Sequence, residues 1–428
     1  MKKITKKIFF MSRFTGPNTG NEALSLEFRD LFKNFFEENC VRSTDRYPKF
    51  LQSVRFSDLN KNNLNHVEAF EKVASTIISK YSVGGKLPNF LSTEVIRVDK
   101  ASTKRKKFEF LYNLKRKISI RYRLSKFGII SKASIKDFIC GCKWSDYFIW
   151  NPAGEVHAKG DKDEAVRFLL SIRIAQLLGA KTIIVNQSLE IKDNELINLF
   201  KHVYQKCEKL IFRDESSVDI AKQMECPTKN IKLIGDMVFN SVNRKVIKKV
   251  NQIEAEKNSI VLTINGKSFT DFDAQWQSLF EFLNSLNRKI YFFSNAIVHD
   301  YNFAVIANKY GFHVINEQLD YNDTLSFLEN VDIVITTRIH MAIMGLSKGC
   351  CVITVEPNDF KLTDMIKSID YSINCINTNK SDNWSSEVIK NINYSLENTE
   401  KLKAEGIAKA KIKSSKSKIS YEELIQLM

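Results

Sequence analysis

Glycine and proline are scarce, at 15 and 6 of 428 residues. That usage is far below average and excludes collagen-like and low-complexity architectures. No run approaches 18 consecutive apolar residues, so no transmembrane helix is expected. A secretory signal needs an apolar stretch of about 7–15 residues. Here the basic start is followed by only Ile8-Phe-Phe-Met11 before Ser12-Arg13, and a first buried strand is expected instead. The eight cysteines show no metal spacing, and Cys140-Gly-Cys142 and Cys350-Cys351 are too close for a CxxC site. Reduced structural thiols in a cytoplasmic protein are therefore expected. Zincin, nucleophile-elbow, P-loop and dinucleotide fingerprints are all missing. No Asp-x-Asp element ends a strand, which speaks against a metal-dependent nucleotide-sugar transferase. Asp271-Phe-Asp273 has the letters but opens a helix, where acids are favoured anyway.

What is present is an ordinary globular composition, 43% hydrophobic and 27% charged, which excludes disorder as the dominant state. The length suggests two or three domains. The net charge of +16 is unevenly spread. Residues 97–136 hold fourteen Lys or Arg against two acids, a net +12, so the other 388 residues carry only +4. Apolar residues such as Phe108, Tyr112, Ile118 and Phe127 interleave the basic ones. The block reads as one or two basic amphipathic helices suited to an anionic membrane surface. A solvated helical insertion fits the same pattern. Nucleic acid is disfavoured, because no zinc-finger, helix-turn-helix or RNA-recognition signature is present.

Along the chain, short apolar runs alternate with helical spacing. Strands are expected at 7–11, 146–150, 182–185, 209–212 and 231–234, with helices at 21–36, 66–80, 161–178, 191–206 and 216–224. Residues 240–258 are polar and lysine-rich and read as a linker. A second series follows, with strands at 260–263, 290–293, 313–315, 333–335 and 352–355. Its helices are expected near 272–286, 301–310, 321–329, 339–347, 360–368 and 384–398, before a lysine-rich helical tail at 400–428. Strict alternation predicts mostly parallel sheets. The fold class is α/β, with two doubly wound domains, 1–239 and 259–399, facing a cleft. Ligands on such sheets bind at the carboxyl ends of strands.

Three motifs fall at such ends. Gly16-Pro-Asn-Thr-Gly-Asn-Glu-Ala23 joins the first strand to the first helix. Backbone amides and the helix dipole there suit an anion, while a plain turn with Asn21 as N-cap fits equally. Arg213-Asp-Glu-Ser-Ser217 follows the strand at 209–212, and reads as an anion contact or merely a helix cap. Thr336-Thr-Arg338-Ile-His340 follows a buried strand. Arg forks onto carboxylate or phosphate, and His moves protons near neutral pH. His157, after the turn Asn151-Pro-Ala-Gly154, is the other histidine of interest.

In this order, the motifs resemble the polysaccharide pyruvyl transferase family. The resemblance runs from about residue 12 to about 365. It rests on Gly20-Asn21-Glu22-Ala23, the turn at 149–154, the strand at 179–188, Arg213-Asp-Glu-Ser-Ser217, and Arg338-Ile-His340 with the small-residue helix to Gly349. It implies two Rossmann-like domains of GT-B type. It also implies transfer of a pyruvyl group from phosphoenolpyruvate (PEP) to two hydroxyls of a sugar, giving a cyclic ketal. On that basis Arg338 and His340 are the catalytic candidates. Arg213, Arg338, Gly20, Asn21 and Ser217 are the donor-binding candidates. Asn18, Asn151, His157, Glu356 and Lys361 are acceptor or accessory candidates. No metal or cofactor is called for, and the expected partners are PEP, a sugar acceptor in a polysaccharide or its lipid-linked precursor, and an anionic membrane through 97–136. The chain departs from the family at Asn151-Pro-Ala-Gly154, where many members carry glycines, and at Val355–Lys361, where a Tyr often precedes the Lys. The basic block has no family counterpart. A GT-B glycosyltransferase using an activated sugar, with Glu356 on a ribose or sugar hydroxyl and Arg338 on a diphosphate, stays open. So does a non-catalytic assembly protein at the membrane.

Overall fold

The structure is a computed structural model describing residues 3–13, 18–45, 51, 53–60, 65–83, 129–130, 135–156, 161–246, 253–266, 268–269, 271–315, 317, 319–357 and 360–428. Contacts divide the chain into two units, and neither is one continuous stretch. The first takes Met1–Thr15, Arg29–Arg213 and Ser217–Leu233; the second takes Gly16–Phe28, Asp214–Ser216 and Ile234–Met428.

The first unit is built on a seven-stranded sheet. Its strands are β1 (Ile8–Ser12), β2 (Val41–Asp45), β3 (Ile129–Ile130), β4 (Tyr147–Asn151), β5 (Lys181–Gln187), β6 (Lys209–Phe212) and β7 (Ile231–Leu233). The order is β3-β2-β1-β4-β5-β6-β7, and every pairing is parallel. β1 and β4 are buried along their whole length. Burial on both faces is why they read as continuous apolar runs without alternation. Phe9 packs against Phe138 and Phe148, and Trp150 stacks on Phe168 at 4.9 Å. Helices Lys162–Leu177 and Asn194–Tyr204 follow β4 and β5. Asp161 and Asp193 cap them by accepting first-turn amides, the usual device for those orphan donors.

The second unit holds a six-stranded parallel sheet, β10-β9-β8-β11-β12-β13. The strands are β8 (Ser259–Thr263), β9 (Ile290–Phe293), β10 (His313–Ile315), β11 (Val331–Thr336), β12 (Cys351–Glu356) and β13 (Ile376–Asn377). The C-terminal helix Thr399–Gln426 packs on the turn Met237–Asn243 and on helix Ile339–Ser347. The opening half of helix α1 (Thr19–Phe35) also belongs to this unit by its contacts. Glu27, 5% exposed, accepts from the Tyr321 hydroxyl and the Arg244 guanidinium, both at 2.9 Å. Phe28 meets Tyr421 edge-on.

Three strands escape the apolar-run pattern, one by its polar composition and two by their brevity. β2 reads Val-Arg-Ser-Thr-Asp, and β3 and β13 are two residues each. The first residues of the segment expected as a linker belong to the seven-residue 3₁₀ helix Met237–Asn243, capped by Asp236 at the Val238 amide. The basic block lies outside the described residues except for strand β3 and residues 135–136, which begin helix Ile135–Trp144. Among the described residues, no helix is long and apolar enough to cross a membrane.

Candidate functional site

In the first unit the loops at the carboxyl ends of β4, β5 and β6 are joined to one another. The Ser188 amide donates to the Ala153 carbonyl at 2.8 Å, and the Arg213 amide donates to the Gln187 carbonyl. The Arg213 side chain, on a residue 6% exposed, donates from Nε to Ser188 Oγ at 2.7 Å. Ser217 Oγ accepts from the Leu189 amide at 2.7 Å. Arg213 and Ser217 therefore sit on the same β5 loop, and Ser217 is spent on holding that loop. Asn151 donates to Ser12 Oγ at 3.1 Å, while its Oδ1 is buried and has no partner among the described residues.

Beside these loops lies a cavity of about 310 Å³, lined by Glu155, Lys162, Glu190, Lys192 and Asp193 among others. Glu155 pairs with Arg13, and Lys162 with Asp193. Lys162 holds the Asp193 carboxyl below its ordinary range against the opposing effect of burial, helped by the Leu196 and Glu195 amides.

The second unit gathers the α1 opening and the Arg338–His340 turn. Asn18, rather than Asn21, caps α1: its Oδ1 accepts from the Gly20 amide at 2.8 Å and from Asn295 Nδ2 at 3.2 Å. Asn295 in turn accepts from the Thr19 amide, and the Thr19 hydroxyl donates to the Leu319 carbonyl. Asn21 is the third residue of the helix, and its carbonyl accepts from Ser25 Oγ.

His340 is packed against Gly20. A Cβ on Gly20 would fall 2.1 Å from His340 Nδ1 and 2.5 Å from its Cβ and Cγ, so only glycine permits this approach. On the other side, His340 Nε2 lies 3.4 Å from Asp236 Oδ2, with both side chains buried. A carboxylate there favours the proton on Nε2 and orients the ring.

Arg338 follows β11, its amide donating to Thr336 Oγ1. Its guanidinium pairs with Asp300, which has no exposure and also accepts the Gly266 and Ala296 amides. Arg338 Nε is buried and finds no hydrogen-bond partner among the described residues. At the end of β12, Glu356 accepts from the amides of Leu362 (2.6 Å) and Thr363 (3.0 Å) and from the Thr363 hydroxyl. It caps helix Lys361–Ile369, whose first residue is Lys361. Gly16 and His157 lie outside the described residues. Among the described residues, no group of three or more His, Cys, Asp or Glu is placed to hold a metal.

Sequence reading passed over Asp236, Asn295, Asp300, Ser188 and Glu155. Asp236 carried a signal, since it follows a glycine just beyond β7. Asp300 carried none, because its role arises from amides and a guanidinium far away in sequence.

The sequence model of the family described as polysaccharide pyruvyl transferase matches residues 18–359. No curated protein matches. Among solved structures, HepE of Anabaena in complex with UDP is similar, with a TM-score of 0.54 at 9% identity, covering 99% of this chain and 100% of that one. Sucrose-phosphate synthase from Thermosynechococcus elongatus gives a TM-score of 0.52 at 10% identity, covering 99% and 98%. At such identities the likeness establishes the fold, a GT-B-like pair of doubly wound α/β units, and not the substrate.

Proposed function

Because the chain belongs to the polysaccharide pyruvyl transferase family, and so is a transferase of polysaccharide biosynthesis, we propose that it moves a pyruvyl group from PEP to a sugar as a ketal. The observation that carries this reading is the Arg338–His340 turn. A buried, unsatisfied guanidinium donor lies two residues from an imidazole oriented by a carboxylate. An unpaired buried donor costs about 1–3 kcal/mol. A donor carboxylate or phosphate oxygen accepting from Arg338 Nε recovers that cost, which suits a trianionic substrate.

The reaction balances without a redox partner. One sugar hydroxyl adds to C2 of PEP as a proton reaches C3, which becomes the methyl group. The C2–O bond to phosphate then breaks, and the second hydroxyl adds to C2. Of the two hydroxyl protons, one ends on the methyl group and the other on the released hydrogen phosphate. His340 relays a proton between these positions, with Asp236 stabilising the imidazolium. Arg338 holds the donor anion, through the Nε donor that no side chain or carbonyl satisfies among the described residues. Arg213 is the anion-binding candidate of the other unit. Glu356 is already engaged by two amides and a hydroxyl, which weighs against the ribose contact that a glycosyl-transfer reading would ask of it.

The test is a binding titration of PEP against UDP-, GDP- and CMP-sugars, with Arg338→Ala alongside. Saturable PEP binding that is lost in the variant is expected. Binding of a nucleotide sugar and not of PEP would replace this reading with glycosyl transfer. We further propose that residues 97–136 hold the enzyme at an anionic membrane, where a lipid-linked acceptor would be met. Deleting them should release the protein from anionic liposomes, and unchanged binding would refute the idea.

A further inference from the structure

We propose that Lys413, on the C-terminal helix, is a positioning residue that sets the proton affinity of His340 through Asp236. It lies beyond residue 359, where the family match ends. The inference deepens the reading of His340 as a proton carrier, and rests on that reading only for its catalytic consequence.

The geometry runs through Gly235. A Cβ at Gly235 would lie 2.4 Å from Lys413 Cε and 3.2 Å from its Cδ, with Ser417 Oγ at 2.7 Å. The lysine stem therefore crosses the bare Cα of Gly235, and a larger residue there would displace it. The next residue is Asp236. One carboxylate oxygen accepts the Val238 amide at 2.9 Å, and the other faces His340 Nε2 at 3.4 Å. The Lys413 stem thus lies against the residue that precedes Asp236, while the imidazole faces the Asp236 carboxylate itself. Burial draws the Lys413 pKa down and Lys416 adds to this, while Glu215 and Asp236 act in the opposite sense. A partly desolvated ammonium acts on its neighbours more strongly than one in water.

The sign follows from charge. Lys413 neutralises part of the field that Asp236 exerts on His340, and directly opposes a second cation nearby. Both effects lower the proton affinity of His340, so removing the lysine charge raises it.

Other charges on the elements packed against the His340 helix stay fixed. Arg338 is paired with Asp300. Glu356 is held by the first turn of helix Lys361–Ile369. On that helix Asp364 accepts the Ser216 amide, and Lys361 is unaltered by the substitution. On helix Tyr321–Leu328, Asp323 is likewise unaltered.

The experiment is an NMR titration of the histidine imidazoles in the full-length protein, with no substrate present. Histidine-labelled wild type, Lys413→Met and Lys413→Arg are compared, and His340→Gln identifies the resonance. Lys413→Met should raise the His340 midpoint by about half a pH unit or more, while Lys413→Arg leaves it near wild type. Asp236→Asn should lower the midpoint and largely abolish the effect of Lys413→Met. A wild-type midpoint in Lys413→Met overturns the proposal. So does an equal shift in the Met and Arg variants, which would mark a packing effect. Should Lys413→Met not fold, Lys413→Gln makes the same test. Because no donor is used, the result stands apart from whether PEP binds.

Discussion

Arg213 and Arg338 each follow a parallel strand at its carboxyl end, and their surroundings differ. Arg213 Nε donates to a hydroxyl, Ser188, within loops already tied together by backbone bonds. Arg338 meets Asp300, a carboxylate with no exposure that also gathers two amides. A hydroxyl positions a guanidinium through one of its donors. A buried carboxylate positions it and cancels much of the charge, so what remains is the directional Nε donor. The same residue type at the carboxyl end of a strand is therefore held by a hydroxyl among tied loops in one unit, and in the other by a buried carboxylate that leaves an aimed Nε donor near an imidazole.

The sharpest way to separate the two regions is through function. His340→Gln should lower turnover by about 10²–10⁴-fold and leave PEP affinity within about threefold, measured by phosphate release and by titration. Arg213→Ala should weaken PEP binding instead, and equal losses of both quantities in both variants would erase the distinction. Stability provides the next contrast. Asp300→Asn leaves Arg338 buried without its carboxylate and should cost about 3–5 kcal/mol in denaturant unfolding. Ser188→Ala removes one hydrogen bond to a charged group and should cost about 1.5–3 kcal/mol. If Ser188→Ala proved the more damaging, the Arg338 pair would not be the buried ion pair described here.

Gly20→Ala tests close packing. The new methyl must displace the imidazole, so a loss of about 1–3 kcal/mol is expected, together with reduced turnover. Gly179→Ala instead meets open space at φ +91° and should cost only backbone strain, about 1–2 kcal/mol, with turnover unchanged. The smallest effect lies on the first unit's helices. Burial raises the Glu71 carboxyl pKa, but bonds from Arg173 and His202 outweigh it and leave it lowered. A lowered folded pKa adds stability that is full above the unfolded value of about 4.3 and is lost as pH falls through the folded one. Glu71→Gln should flatten that limb of the stability–pH curve by less than about 1 kcal/mol, because the group is only partly buried and solvent screens its pairs.

Much of the fold was legible in advance. The apolar runs of β1, β4, β5, β8, β11 and β12 announce strands buried on both faces, and the spacing between them announces the crossover helices. The strands that escaped notice are those the sheet recruits by backbone pairing alone. β2 carries Arg, Ser, Thr and Asp, and its place beside β1 comes from the ladder, not from side-chain pattern. The cap of α1 is Asn18 and not Asn21 for a similar reason. Asn18 and Asn21 are equally good caps by type, and Asn295, far along the chain, decides between them by accepting the Thr19 amide and donating to Asn18.

The candidate site divides in the same way. Which residues could carry charge and protons at strand ends, namely Arg213, Arg338 and His340, was determined by the sequence itself, because a strand's end and a helix's beginning are local events. What each of them can do was decided only by tertiary structure. The contact of Gly20 with His340, the carboxylate of Asp236 at its other nitrogen, the pairing of Arg338 with Asp300 and the lysine lying over Gly235 all join residues distant in the chain. Electrostatic and steric effects depend on distance in space, and distance in space is what a linear pattern does not hold.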